Sequence, residues 1–421
     1  MRLENTGNPI DRKHPLSCGR IPAIPGGVMQ KRVAEFFAGI GLMRMGLDQA
    51  GWTTVWANDI DEKKWEMYRA NYNEGYCEFI LGDVHAVKGA DMPDFELATA
   101  SFPCNDLSLA GSRHGLAGTH SSAFWGFIDT IKGMGKRRPR FILLENVVGF
   151  LTSHDGNDFR EALTALNELG YSVDAMIVDA ARFVPQSRQR LFVIGVKDTG
   201  VSPRIEDLGL LQSDARPAAL ADFIFMNPEI RWNVRPLPPL PRSGRRLRDI
   251  VEDVPLNSEL WWSRDRCEYL LNQMSPKHRG EAQAMMDGAE WSYGTVFRRV
   301  RNGRSMAELR TDGIAGCLRT PRGGSGRQIL FCAGKGQFRV RLVTPRECSR
   351  LMGADEFKIK ATLNQALFGF GDAVCVPVIR WIAENYLNLL IEESEPERTS
   401  VRIAQKPVVY KAKRKVRAKH S

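Results

Sequence analysis

The first half of the chain alternates short apolar runs with amphipathic ones, regularly enough to read as elements. Residues 31–37 predict a strand. Residues 42–50 predict a helix with Met43, Gly46, Leu47 and Ala50 on one face and Gly51 suited to end it. A strand at 53–57, a helix at 61–72, a strand at 77–81 and an apolar strand at 95–100 follow. A helix at 122–134 leads through Lys136, Arg137, Arg138 and Pro139 to an apolar strand at 141–144, which runs straight into Glu145, Asn146 and Val147. The run 158–169 is amphipathic through Phe159, Ala162, Leu163 and Leu166, and 171–178 and 190–196 read as further strands. Strands alternating with helices of this length predict a doubly wound α/β fold around a parallel sheet.

The period is lost near residue 201. Arg235 to Pro241 is proline-rich, Trp261 and Trp262 are adjacent and 319–327 is glycine-rich, which predicts a separate, irregular domain. Regularity returns with a helix at 344–352, capped by Thr344 with Pro345 in its first turn. A strong helix at 377–392 follows, its apolar face made by Ile379, Ile382, Ala383, Tyr386, Leu387 and Leu390.

A chain of 421 residues has room for two or three domains. No stretch approaches the ~18 uninterrupted apolar residues of a membrane span, and the first residues have no signal-peptide core, so the expected place is the cytosol, with no membrane partner. The eight cysteines form no C-x-x-C pair and meet no histidine cluster, so neither a metal site nor a disulfide framework is expected. The net charge of +10 is concentrated: residues 291–341 hold eleven Lys or Arg against Glu308 and Asp312, and residues 401–421 hold eight against none. The remainder is net acidic. Such local basic stretches point to a polyanion, nucleic acid above all. The tail is expected to be disordered and to attract phosphates without sequence preference.

Two loops carry candidate chemistry. Cys104 follows Pro103 at the expected carboxyl end of a strand, where side chains line the ligand crevice of open α/β sheets. Pro103 fixes its own φ and lacks an N–H, so the chain is steered out of the sheet. The alternative is a buried, inert thiol. Between the first strand and helix, Phe37-Ala38-Gly39-Ile40-Gly41 forms a tight glycine turn suited to cradle a nucleotide-type cofactor, and Asp59, after the next strand, suits ribose hydroxyls. A plain structural turn is the other reading. A Pro-Cys nucleophile, the strand-end Glu145 and a cofactor loop on one rim are the parts needed to activate an electron-poor ring and transfer a group to it.

With these loops in place the chain resembles the bacterial-type DNA (cytosine-5)-methyltransferases. The resemblance rests on Glu35-Phe36-Phe37-Ala38-Gly39-Ile40-Gly41, Asn58-Asp59-Ile60, Gly82-Asp83-Val84, Pro103-Cys104, Glu145-Asn146-Val147, Gln186-x-Arg188-x-Arg190, Arg341-x-x-Thr344-Pro345-Arg346-Glu347 and Gly371-Asp372-Ala373-Val374, in family order. It implies a Rossmann-like S-adenosylmethionine-dependent methyltransferase domain with an inserted, irregular target-recognition domain. The division expected is a leader at 1–30, a catalytic and cofactor-binding domain at 31–200, target recognition at 201–343, a return to the catalytic domain at 344–395 and a basic tail at 396–421.

By the same resemblance, the Cys104 thiolate adds to cytosine C6 and Glu145 holds N3 and the exocyclic amine. Arg188 and Arg190 hold the base at O2 and the active-site loop, with a structural salt-bridge role as the alternative for Arg188. The base is flipped out of the duplex to be reached. Phe37, Ala38, Gly39, Ile40 and Gly41 surround S-adenosylmethionine, Asp59 takes its ribose, Ile60 an adenine face and Asp83 the adenine amine, with Val84, Pro103 and Val374 completing the pocket. The partners implied are double-stranded DNA, met as a monomer, and a cognate restriction endonuclease unless the methylase is an orphan. Leu42 in place of a second glycine, Asn105-Asp106-Leu107 after the cysteine and Asp372 in place of the usual Asn depart from the family pattern. The competing readings are an inert DNA-binding relative, an RNA-directed relative with a smaller recognition domain and a nicotinamide dehydrogenase, which leaves Pro103-Cys104 and Glu145 without a role.

Overall fold

The computed structural model describes residues 30–72, 77–103, 122–197, 207–301, 303–320 and 327–393. Cys104, Asn105, Asp106, Leu107 and the basic tail therefore lie outside the described residues. Seven strands build the larger sheet: β1 (Arg32–Phe36), β2 (Thr53–Asp59), β3 (Glu78–Leu81), β4 (Leu97–Ala100), β5 (Phe141–Val147), β6 (Tyr171–Asp179) and β7 (Gln189–Lys197). Their order is β3-β2-β1-β4-β5-β7-β6. The sheet is not wholly parallel, because β7 runs antiparallel to both β5 and β6. Residues 180–188 are too few for the crossover a parallel return needs, whereas an antiparallel neighbour requires only a short connection.

Along each strand the side chains alternate between two cores. Val33, Leu97, Phe141, Leu143, Met176 and Ile194 enter one, and Ala34, Ala98, Ile142, Leu144, Ile177 and Val193 enter the other. Both faces are covered, as a mainly parallel sheet requires. The first core receives α1 (Leu42–Gln49) and, from the end of the chain, α9 (Pro345–Leu351), α10 (Leu363–Asp372), α11 (Val376–Ile382) and α12 (Asn388–Glu392). The second receives α3 (Ser122–Gly133) and α4 (Asn157–Glu168). Helix α2 (Glu62–Asn71) packs on β2 and α10, burying Met67 in the first core and Tyr68 in a small cluster with Ala38, Ala57 and Cys77.

Thr344 caps α9 as its sequence predicts: its hydroxyl accepts from Glu347 N at 3.1 Å, and Glu347 Oε2 accepts from Thr344 N at 2.8 Å. The expected final helix is α11 and α12 joined by a π turn at Ala383–Leu387. Residues 363–392 are, among the described residues, the one helical run long and apolar enough to cross a membrane, but Phe370, Val376, Ile379, Ile382 and Leu387 are fully buried in the first core.

Beyond residue 207 the chain does two different things. Helices α5 (Leu208–Leu211) and α6 (Ala218–Met226) bury Leu211, Leu220, Ala221 and Ile224 with Trp232 in the second core, while Ala215, Leu240, Leu247 and Ile250 join the first. A separate, third core begins at α7 (Arg264–Asn272) and α8 (Pro276–Met286). These helices cover one face of a four-stranded antiparallel sheet of β8 (Ser292–Arg301), β9 (Arg304–Arg310), β10 (Ile329–Gly334) and β11 (Gln337–Leu342), in the order β11-β10-β8-β9. Arg341 of β11 is fully buried against Glu347 of α9, Nη1 to Oε2 2.7 Å, and so ties this sheet to the main body.

Candidate active site

The turn after β1 is shaped by backbone. Phe37, Gly39 and Gly41 all have positive φ (55°, 57° and 84°), which glycine adopts without strain. A side chain at Gly41 would also collide with Tyr72 and Tyr68, at 2.4 and 2.9 Å. Among the described residues a Cβ at Gly39 would meet nothing nearer than 4.0 Å, so they leave the turn open on that side. The Asp59 carboxylate, at the end of β2, pins the turn by accepting from Gly39 N at 2.7 Å through Oδ2 and from Asp61 N at 2.8 Å through Oδ1. Burial pushes its pKa above the ordinary range, against the opposing pull of Lys64 and these amides. Next to this buried carboxylate, Ile60 is 71% exposed. Asn58 donates to the carbonyls of Ile80 and Gly82, both at 2.9 Å, which fixes the approach to Asp83. Asp83 is exposed, accepts from His85 N, and is followed by buried Val84. Asp59, Ile60 and Asp83 thus share one rim with an open glycine turn.

Under the turn lies a group of polar residues that no local motif joins. Glu35 is buried and accepts from Arg44 N at 3.2 Å, while Arg44 Nη1 donates to the Tyr68 hydroxyl at 3.1 Å and its guanidinium lies 4.4 Å from the Tyr72 ring centre. Tyr72 donates to Gly41 O at 2.7 Å. Desolvation raises the Glu35 pKa to about 8, although Arg44 and Tyr68 pull it down.

The second half of the site is built from charge. Ala100 of β4 lies opposite Leu144 of β5, so the exit at Phe102-Pro103 and the next β5 residue, Glu145, open on the same edge. Phe102 is anchored among Phe124 and Phe150, and Asn146 Nδ2 donates to its carbonyl at 3.4 Å. Pro103 is exposed, and the expected nucleophile Cys104 follows it in sequence, outside the described residues. Glu145 is 6% exposed, and Arg190 Nε lies 3.0 Å from its Oε1. The pairing follows from register: Arg190 sits opposite Val147, so it shares a face with Glu145 as its diagonal neighbour.

Arg188 is placed otherwise. Its Nη1 reaches Leu318 O at 2.8 Å and Cys317 Sγ at 3.4 Å; its Nη2 reaches Ala373 O at 2.6 Å and Gly371 O at 3.2 Å. Its buried Nε has no hydrogen-bond partner among the described residues. Burial and then Arg190 lower its pKa. Burial works against the Cys317 thiolate, yet Arg188, Arg190 and Arg319 hold that thiol below its ordinary range. Val374, next in line, is buried in the first core. Arg188 therefore clasps two distant segments, 317–318 and 371–373, beside the Glu145–Arg190 pair.

The smaller sheet meets this clasp. Its β10 residues Leu330 and Cys332 are buried against the main body on the face away from α7 and α8. On that same face the β8–β9 half is open, with Phe297 and exposed Arg299 and Arg301. The guanidinium groups of Arg299 and Arg319 lie 5.3 and 5.4 Å from the Phe297 ring centre.

Comparison with known proteins gives one family. The family model for C-5 cytosine-specific DNA methylases matches residues 31–388. The chain is 28% identical over 359 residues to Type II methyltransferase M.Bsp6I of Bacillus sp. (strain RFL6), covering 84% of this chain and 98% of that protein. To Type II methyltransferase M.HhaI of Haemophilus parahaemolyticus it is 27% identical over 366 residues, covering 84% and 93%. The fold matches the S. pombe Dnmt2 methyltransferase with a TM-score of 0.55 at 19% identity, over 87% of this chain and 99% of that one. Both the fold and a match that runs from β1 to α12 agree, and the chain belongs to the C-5 cytosine-specific DNA methylases as a DNA (cytosine-5)-methyltransferase.

Proposed function

We propose that this enzyme methylates C5 of one cytosine in a specific double-stranded DNA sequence, using S-adenosylmethionine and a covalent Cys104–C6 adduct to a flipped-out base. The observation that carries the reading is Glu145, a nearly buried carboxylate paired with Arg190 on the edge where the chain turns out at Phe102-Pro103.

The residues present fit the cofactor. The open side of Gly39 leaves room for a ligand against backbone, Asp59 keeps unused lone pairs for ribose hydroxyls, exposed Ile60 offers an apolar face to adenine, and Asp83 an acceptor to its amine. Phe37, Ala38, Ile40 and Gly41 would frame the rest, with Val84, Pro103 and Val374 at its borders. When bound, S-adenosylmethionine supplies an electrophilic methyl group. The chain's own residues prepare the ring to receive it. Cys104 as thiolate adds to C6, which makes C5 nucleophilic. Glu145 accepts from the exocyclic amine and delivers a proton to N3 as the ring takes up the thiolate's electron pair, and Arg190 both orients Glu145 and faces O2. We assign Arg188 to positioning, since its Nη groups are committed to four acceptors.

Residues from α7 to β11 serve as the recognition unit, with the open β8–β9 half laid against DNA. Arginines beside an aromatic ring suit phosphates and base edges together. M.Bsp6I and M.HhaI carry the name Type II methyltransferase, which supports a restriction–modification setting with a cognate endonuclease. Bisulfite sequencing of DNA from a host expressing the chain should reveal one methylated site. A duplex with 5-fluorocytosine at that site should form a denaturation-resistant complex, lost in Cys104→Ala; a merely dissociable complex with the native enzyme overturns the covalent route.

A further inference from the structure

Two cations hold segment 371–373. Arg188 does so through carbonyl groups, as described. The other is Lys64, in the first turn of α2, whose Nζ lies 2.7 Å from Asp372 Oδ2. Thr320 donates its hydroxyl to the other oxygen of the same carboxylate. This segment and residues 319–320 are in direct contact: a Cβ on Gly371 would come within 2.6 Å of Thr320 N and 2.7 Å of the Arg319 carbonyl carbon.

Each end of this chain of contacts reaches a different half of the site. Lys64 belongs to the helix that Asp61 caps, and Asp61 N is held by Asp59, the acid of the open glycine turn. Thr320 follows Arg319, which lies over Phe297 on the open face of the smaller sheet. Burial disfavours the Asp372 carboxylate, but Lys64 and Thr320 more than compensate and keep it ionised below the ordinary range, while Lys64 is raised in turn. The pair is part-exposed, with 21% of the Lys64 side chain and 42% of Asp372 open to solvent, and pairs of that kind add little to stability. Its position suits a different task.

We propose that Asp372, held between Lys64 and Thr320, is a positioning residue that couples the cofactor turn to the DNA-facing segment 317–320, so that filling one half of the site tightens the other. The inference rests on the assignment of cofactor and DNA made above. A ligand against Asp59 and Ile60 fixes the start of α2 and with it Lys64. Asp372 then holds Thr320, and Arg319 is presented to DNA. Because coupling between two binding sites is reciprocal, DNA on Arg319 must raise affinity at the cofactor turn by the same factor. No single local contact does this; it needs the carboxylate to accept from both sides at once.

The test is calorimetric and needs no turnover. Binding of the demethylated product S-adenosylhomocysteine is measured with the full chain, alone and with a saturating duplex that carries the site found by bisulfite sequencing. The wild-type protein should bind the nucleoside about 5-fold or more tightly when the duplex is present, the lower end of common couplings. Asp372→Asn and Lys64→Met should each bring that ratio towards one, and the double variant should lose no more than either single. Thr320→Val should act likewise from the DNA side. A role in stability alone would lower the melting temperature and both separate affinities while leaving the ratio intact, and that result overturns the proposal. So does a wild-type ratio of one. If the wild-type chain binds neither ligand, the functional reading itself fails and the coupling falls with it.

Discussion

The two sheets of this enzyme use opposite strategies. The seven-stranded sheet is buried on both faces, so its faces are closed to a ligand and the chemistry proposed for it is confined to strand ends: Asp59 on β2, Glu145 on β5 and the glycine turn after β1. The four-stranded sheet has its own core on one face, and the β8–β9 half of the other is open, with Phe297 beside exposed Arg299 and Arg301, both of which pair with Glu308. A rim fixes a few atoms accurately; an open face spreads charge over a long partner. The pairing suits an enzyme that must hold one base and also grip a duplex.

The sharpest way to break this contrast is at the rim. Glu145→Gln keeps the shape of the side chain but removes both the charge that pairs with Arg190 and the acidic proton proposed for N3. Loss of one well-placed stabilising group costs about 10²–10³-fold in kcat. Steady-state methylation assays should show that fall with the DNA dissociation constant nearly unchanged. A variant with native kcat would remove Glu145 from the chemistry.

A smaller effect is expected on the open face. Arg299→Ala and Arg319→Ala should weaken DNA binding by several-fold, and each should reduce the slope of log K against log salt by about 0.9 if it neutralises one phosphate. Turnover at saturating DNA should stay close to native for Arg299→Ala. Fluorescence anisotropy across a salt series reads both outcomes, and an unchanged slope in both variants would take this face off the duplex.

The same contrast explains what was legible in the amino-acid sequence. The rim is made of local motifs on strands whose apolar runs are continuous because both faces are buried, so 53–57 and 141–144 stood out and only their ends were short by two or three residues. The smaller sheet lies in a stretch that the sequence predicts to be irregular. In β8, Val296 shares one face with Arg298 and Phe297 the other with Arg299, so charge hides the period of two, although Asn302-Gly303 between Arg301 and Arg304 is a hairpin signal. The packing of 211–250 on the larger sheet has no local signature, because Trp232 and Leu240 find their partners in strands and helices far away in sequence. Lys64 and Asp372 are separated by 308 residues, and no spacing rule reaches that far. Asp372, a departure from the family pattern by sequence, in the structure accepts from Lys64 on one oxygen and from Thr320 on the other.

The smallest effect concerns the floor of the rim. Glu35 titrates near 8 in the fold against 4.5 as an unhindered side chain, because burial penalises its charged form. The folded protein therefore binds one more proton than the unfolded chain between those values, and stability must fall as pH rises through that window. A single group of this kind contributes a slope of at most about 1.4 kcal/mol per pH unit. Below pH 4.5 the contribution is fully present, and above 8 it is lost. Glu35→Gln retains an oxygen to accept from Arg44 N but cannot ionise, so the variant should lose that slope and gain most over the wild type at pH 8 and above. Urea unfolding at pH 5, 6.5 and 8 measures it: parallel pH profiles for the two proteins would mean that Glu35 stays charged beneath the turn, stabilised by Arg44, and that the floor of the rim is as ionic as its edge.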